Sequence, residues 1–457
     1  MNPTAHPSQR CPGTLPRRGF LRLGLSGLAS LGLADLLRLE SAAAAAGVHP
    51  SSDKSLIVLW LWGGPSHMET FDLKPEAPPE YRGEFLPIAT SAGGVQISEH
   101  LPRLAQLGDK FSLIRSLSHD SPGHVNSTHT LVTGYPGELV EAVPYQPKYP
   151  DLWSVVSKVR GERVDGVPAH VGLPRVRYNG SAYLGGGVDP LFITSDPNSK
   201  NFKVPNLALS KSLTRAHLNE RVELLKQFDN LRRQVDDHGT MDSLDRFNQK
   251  AVSMLARGDV GKAFDIGLED PKTRDRYGRH SVGQRCLLAR RLIEAGVRIV
   301  TVDFPYVEGQ KARSWDDHAS VWNIFTEMKH RLPVLDQVVS TLITDLHDRG
   351  LQNDVLLLVM GEMSHTPRLS NFQGQPGREH WGHTMSVFLS GGGMRMGQAI
   401  GATNNKGDEV VDRLVQPNDL LATLYHYFGV PANTQFTSRA GRPTPILPSG
   451  VPIADLL

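Results

Sequence analysis

The sequence predicts an α/β protein with a mostly parallel central sheet flanked by helices. Three observations predict it. Short apolar runs recur: SLIVLWLW (Ser55–Trp62), VRIVTVDF (Val297–Phe304), VLLLVM (Val355–Met360) and MSVFLS (Met385–Ser390). Runs of this length, bounded by turn residues, fit strands covered on both faces. Helical stretches lead into two of them, the helix-then-strand order of a parallel array. Clusters of His, Asp and Glu follow several runs, and open α/β sheets bind ligands beyond the carboxyl ends of their strands.

At 457 residues, 39% hydrophobic and 21% charged, the chain has the balance of a globular protein large enough for a substantial core. A formal net charge of +2 supplies no field that would draw nucleic acid or an anionic membrane, so neither is an expected partner.

Residues 1–46 read as a targeting segment, leaving 47–457 as one α/β domain with a helical insertion at about 207–285. Arg17-Arg18-Gly19-Phe20-Leu21 precedes LGLSGLASLGLA (Leu23–Ala34), and Ala42–Ala46 offers small residues to a signal peptidase. The apolar stretch is too short to cross a hydrocarbon layer of ~30 Å at ~1.5 Å per residue, so no stable transmembrane anchor is expected. The arginine pair resembles a twin-arginine export signal, which implies a periplasmic or cell-surface destination. Cleavage would remove Cys11 and leave Cys286, so no intrachain disulfide could form.

The elements follow in order. SLIVLWLW is the first strand and ends in Gly63-Gly64-Pro65-Ser66, a turn where the backbone can approach an anion or metal closely, or simply a strand-to-loop turn. His100–Lys110 reads as a short amphipathic helix and FSLIRSL (Phe111–Leu117) as a second strand. Behind it His119, His124 and His129 fall five apart among Asp120, Ser121, Ser127 and Thr128, either as a site or as core and capping residues. Val140 to Pro205, rich in Gly and Pro, predicts short strands and loops.

Leu207 to Gly296 reads as helical, with Leu218, Val222, Leu225 and Phe228 on one stripe and a start at Asp270-Pro271 running to a stop at Gly296. VRIVTVDF returns to the sheet and leads to Trp315-Asp316-Asp317-His318. Asp316 and His318 could bind one metal from a single turn, or Asp316 could cap a helix beginning near His318. A helix over Lys329–Gly350 then leads into VLLLVM. Between VLLLVM and MSVFLS lies a loop holding Glu362, His365, Arg378, Glu379, His380 and His383, a set suited to a divalent metal or to acid/base work. A last helix over DRLVQPNDLLATLYHYFGVP closes at Gly429 and Pro431. A serine hydrolase is disfavoured, because the chain lacks a G-x-S-x-G elbow.

Six segments occur together in one order: GGPSHMETFDLKP, HTLVTG, LLARRLIEAGVRIVTV, WDDH, MGEMSHTP and GREHWGHTMSVFLSGGG. In this the chain resembles the exported family catalogued as domain of unknown function 1501. That family looks like a branch of the alkaline phosphatase and sulfatase superfamily. The resemblance implies an alkaline-phosphatase-like sheet and hydrolysis of small or polymeric anionic esters of phosphate or sulfate with one or two divalent ions. Zn, Ca, Mg or Mn would serve, and the oligomeric state is left open.

Carried over residue by residue, Asp316 and His318 resemble a metal-binding pair. Glu362 stands where the superfamily has Asp-His, with His365 as a substitute imidazole, and His380 or His383 takes the place of its last histidine. The nucleophile position falls on His124, which implies a ligand or acid/base role. A Ser/Thr nucleophile would have to come from Ser121, Ser127 or Thr128. Gly63 or Gly64 replaces the first-strand metal Asp, with Glu69 or Asp72 as substitutes. Arg378 is the expected clamp on the anionic group. Cys286, in CLLAR, lacks the proline of a formylglycine motif. The degenerate nucleophile keeps a second reading in view: a non-catalytic binding or surface-assembly protein with at most a structural metal.

Overall fold

A computed structural model describes residues 54–457 apart from 122, 138–146, 178–179, 205–257 and 321. The targeting segment, the Leu218–Phe228 stripe and most of the expected insertion lie outside the described residues.

Among the described residues the central sheet has eight strands: β1 (Ser55–Trp60), β2 (Phe111–Leu117), β3 (His170–Leu173), β4 (Leu191–Phe192), β5 (Ile299–Asp303), β6 (Val355–Met360), β7 (Met385–Gly391) and β8 (Gln398–Ile400). Their spatial order is β8-β2-β7-β6-β1-β5-β3-β4. β1 runs parallel to β5 and β6, β3 parallel to β4 and β5, and β8 parallel to β2. Only β7 is reversed, pairing antiparallel with both β2 and β6. Its beginning therefore lies at the edge where the other strands end, so the loop leading into β7 meets the loops leaving β1, β2, β5 and β6.

Alternation along β1 divides the core between the two faces. Ile57 and Leu59 join one apolar cluster, with residues of α3 (Ser281–Glu294) and α4 (Ile324–Asp348). Leu56, Val58 and Trp60 join another, with residues of α1 (His124–Thr133), α2 (Leu152–Arg160) and α5 (Pro417–Tyr427). All six residues of β1 and of β6 are buried, as expected for strands covered on both faces.

Several local expectations are corrected. Asp316 caps no helix: α4 starts later, where Asn323 Oδ1 accepts from the backbone N–H groups of Phe325 and Thr326. The single helix expected from Asp270 to Gly296 is two, Pro271–Tyr277 and α3, because Gly278 turns left-handed (φ 90°) and His280 caps the second. His100–Lys110 holds only a one-turn helix, Pro102–Ala105, and a 3-10 turn, Gly108–Lys110. Within the expected strand-and-loop region lies α2, started by Asp151, whose carboxylate accepts from Ser154 N–H at 2.7 Å and whose helix buries Leu152, Trp153, Val155 and Val156.

Candidate metal centre

Asp316 is the hub, and the chain fixes its place through its neighbours. Trp315 donates its backbone N–H to Trp62 O (2.8 Å) and its indole N–H to Phe304 O (2.7 Å). Asp317 is buried against Arg331, and its backbone carbonyl accepts from Arg378 N–H at 2.9 Å. Gly63, at the end of the first strand's loop, adopts φ 106°, and a Cβ there would sit 2.4 Å from the backbone nitrogen of Asp316. Glycine is needed here for both the backbone angle and the close approach.

Four imidazoles converge on the Asp316 carboxylate. His318 Nε2 is 2.7 Å from Oδ1, His365 Nε2 and His380 Nε2 are each 3.3 Å from Oδ1, and His124 Nε2 is 3.2 Å from Oδ2. These come from three places: the loop after β5, the two-residue pairing of Ser364–His365 with His380–Trp381, which supplies two of them, and the start of α1. The rings pack edge to face, His380 lying 4.4 Å from His124 and 4.5 Å from His318. Asp316, His318 and His380 stay 25%, 34% and 27% exposed, so the centre opens on that side.

Two imidazoles are backed by a second carboxylate. His124 Nδ1 is 2.7 Å from Glu362 Oε1, and His318 Nδ1 contacts Glu379. Glu362 is fully buried, and its oxygens also accept from Gly63 N–H (2.8 Å) and Trp60 Nε1–H (3.1 Å). A carboxylate on Nδ1 places the proton there and turns Nε2 towards the centre, the arrangement that orients metal-bound histidine.

That geometry tests the fit of a cation. At His124 and His318, with Nδ1 protonated, the Nε2 facing Asp316 either carries a second proton or presents a lone pair towards a carboxylate oxygen, which is repulsive without a positive charge between them. Without an ion, protons fill that role. Burial opposes charge on His124, but hydrogen bonds to Asp316 and Glu362 outweigh it and push its pKa up to about 10. The hydrogen bond to Asp316 outweighs burial at His318 and pushes it up to about 9. Burial would raise Asp316, yet the four imidazoles hold it well below the carboxylate range. Two three-donor groups, His124/Asp316/His380 and Asp316/His318/His365, each bring their ligand atoms within 4.8 Å of one another. The residues fit a divalent ion.

The other expected site residues lie elsewhere. Glu362 holds His124 from behind and belongs to neither donor group. His383 packs on Trp381 and pairs with exposed Asp120 at 3.3 Å, outside both groups. Arg378 cannot clamp an anion, because it is fully buried and all its nitrogens are used: Nε and Nη2 on Glu69, Nη2 also on Tyr81 O, and Nη1 on Thr366 O and Pro367 O. Glu69 is thereby committed, and Asp72 is buried with Lys74 and Thr403, so neither replaces a first-strand ligand.

Thr128 is one turn along α1 from His124 and 1% exposed, closed to an attacking role. Ser121 Oγ pairs with Thr130 Oγ1 at 2.8 Å, and Ser127 Oγ donates to Ser121 O at 3.0 Å. Of the three regularly spaced histidines only His124 joins the hub: His119 Nε2 lies 3.1 Å from Glu362 O and His129 Nδ1 lies 3.2 Å from Tyr135 O. Sequence reasoning counted Glu379 within the loop set without assigning it a specific part, and gave none to Asp317. The one sign available was their position beside His380 and Asp316.

These features define a class: an α/β protein whose mostly parallel sheet carries, at its carboxyl edge, a histidine-and-aspartate cluster that could hold a metal ion. The chain belongs to the family described as "Protein of unknown function (DUF1501)", whose model matches residues 53–457. No curated protein matches it. Among solved structures it is similar to the PsFucS1 sulfatase from Pseudoalteromonas sp. (11% identity, 91% of this chain and 72% of that one, TM-score 0.40). It is also similar to the lipoteichoic acid synthase LtaP from Listeria monocytogenes (10%, 83% and 72%, TM-score 0.39). A third is a protein in the alkaline phosphatase superfamily from Vibrio parahaemolyticus (12%, 83% and 67%, TM-score 0.35). Among the described residues no helix is long and apolar enough to cross a membrane.

Proposed function

We propose that the protein is an exported, metal-dependent hydrolase of phosphate, sulfate or related esters. The observation that carries this reading is the Asp316 carboxylate ringed by four imidazoles, two of them backed by Glu362 and Glu379. Asp316, His318 and His365 would hold the ion, and an imidazole-rich set suits zinc better than calcium, magnesium or manganese. Such an ion supplies Lewis acidity towards an ester oxygen and makes water a usable nucleophile near neutral pH.

The chain's own residues supply the rest. Glu362 holds the Nδ1 proton of His124 and turns Nε2 of the same ring towards the centre, where it would pass a proton to a leaving oxygen. Glu379 orients His318 at the open side of the centre. The Arg17-Arg18 segment supports export to the periplasm or cell surface.

The test is metal analysis of the purified protein with assays of an aryl phosphate and an aryl sulfate. The reading expects stoichiometric metal that is lost in Asp316→Asn, and turnover abolished by a chelator. His124→Asn should lower the rate by ~100-fold or more on a poor leaving group and less on a good one.

One observation favours a second reading, a non-catalytic binding or surface-assembly protein. Ser121 and Ser127 are engaged locally, Thr128 and Cys286 are buried, and so none offers an open nucleophile. Bound metal with no turnover on either ester would favour it.

A further inference from the structure

A second charged cluster lies along the same edge of the sheet. Asp303 ends β5, is buried, and is gripped by Arg177, whose Nη2 and Nε lie 2.9 and 3.2 Å from Oδ2. Arg175, 61% exposed in the loop after β3, brings Nε only to 4.0 Å from that oxygen. Arg285 on α3 lies within electrostatic reach of Asp196, Asp303 and Arg175, and its buried Nε makes no hydrogen bond. Three guanidiniums thus share two carboxylates: Asp303 is already gripped by Arg177, and Asp196 Oδ1 accepts from Asn198 N–H at 3.0 Å. A desolvated cation short of a partner is costly, and a bound anion removes that cost. Burial pulls the Arg285 pKa below its ordinary value, and the Asp196 and Asp303 carboxylates offset this only in part.

The cluster also touches the metal centre. The Arg177 guanidinium lies 4.6 Å from the Trp62 ring centroid, and the Trp62 ring lies 5.0 Å from that of His124. An arginine, an indole and an imidazole therefore stand in a row from Asp303 to Asp316. Guanidinium forks match the oxygens of sulfate and phosphate.

We propose that Arg175, Arg177 and Arg285 form an anion subsite, separate from the Asp316 centre, for a second sulfate- or phosphate-sized group on the substrate. The substrate class is then a polyanionic ester, with one anionic group at the reacting centre and another held beside Trp62. The substrate part rests on the hydrolase reading; anion binding at the arginines does not need the metal. Joining the two groups in one molecule raises affinity through effective concentration.

The test is binding of inorganic sulfate to the full chain, followed by calorimetry and tryptophan fluorescence at low ionic strength. Wild type, Asp316→Asn and the double variant Arg175→Ala/Arg285→Gln are compared, with Arg177 left in place because it neutralises buried Asp303. Sulfate should bind wild type and Asp316→Asn alike, and the double variant about tenfold more weakly. Should the double variant melt early, the exposed Arg175→Ala change alone should still weaken sulfate measurably.

Equal affinity in the arginine variants and wild type, or no saturable sulfate binding by wild type, overturns the subsite. So does loss of sulfate binding in Asp316→Asn with retention in the arginine variants, which puts the anion at the metal centre. A protein that binds no metal yet shows the arginine-dependent sulfate site loses the hydrolase reading and keeps the subsite. In the metal-loaded wild type, naphthalene-1,5-disulfonate should bind more tightly than naphthalene-1-sulfonate, and Arg175→Ala should erase the difference. Equal binding of the two probes by wild type overturns the polyanionic substrate class.

Discussion

Glu362 Oε1 stands 2.7 Å from His124 Nδ1, and this contact decides which imidazole nitrogen faces Asp316. Glu362 is itself fixed by the indole of Trp60 and the backbone of Gly63, so it is a rigid acceptor. Glu362→Gln keeps the shape but removes the charge that holds the Nδ1 proton. His124, the proton donor, then loses its orienting partner, so turnover of a poor leaving group should fall by roughly 100-fold while metal content stays unchanged. The near-isosteric change should leave the circular dichroism spectrum unchanged. Equal turnover of the poor leaving group by the variant would show that Glu362 does not orient His124.

Gly63→Ala tests the closest backbone approach at the site. The new Cβ would meet the backbone nitrogens of Asp316 at 2.4 Å and Trp315 at 2.7 Å, at a φ of 106°. Neither neighbour is a flexible side-chain end, so the loop carrying Asp316 must shift. A left-handed angle alone costs an L-residue roughly 1–3 kcal/mol, and the steric contact adds to it. Thermal melting should fall clearly, and metal content should fall with it because Asp316 moves.

Arg378 separates a structural role from a substrate-binding one. It is buried against Glu69, with three backbone carbonyls taking its remaining donors. Arg378→Met leaves Glu69 as a buried unpaired charge, which costs about 3–5 kcal/mol. Arg378→Met/Glu69→Gln should recover much of that loss in a denaturant titration. A substrate clamp would behave differently, with KM rising and stability unchanged.

The contrast between Asp316 and Arg378 shows how much of this was legible in the sequence. The apolar runs marked β1, β2, β5, β6 and β7, because strands covered on both faces leave an uninterrupted hydrophobic signature. The same logic placed polar residues at the strand ends, and Asp316, His318, His380 and His124 do converge there. Which charged residue meets which was not legible. Arg378, Glu379 and His380 are consecutive, yet one is buried on Glu69, one backs His318 and one faces Asp316. Successive residues of an extended segment point in opposite directions, and a run of letters does not say what lies on each side. The reversed β7 was hidden for a related reason: a buried strand has the same composition whichever way it runs.

His170 gives the pH dependence of the fold away from the metal centre. It lies in β3, buried, with Nε2 3.0 Å from Thr301 Oγ1 and Nδ1 without a hydrogen-bond partner. Burial alone pulls its pKa from 6.5 down to about 3. Between those values the unfolded chain holds a proton that the folded chain does not, so stability is greatest above pH 6.5 and falls as the pH drops towards 3. One such group contributes a slope of about 1.4 kcal/mol per pH unit within the window. His67 and His119, each pulled down to about 4 by burial, act in the same sense. His170→Gln has no proton to take up, so the slope of unfolding free energy against pH between 4 and 6 should flatten by about one proton, whatever the offset at neutral pH. An unchanged slope would mean that His170 is charged in the folded protein, and that its contact with Thr301 is made by an imidazolium.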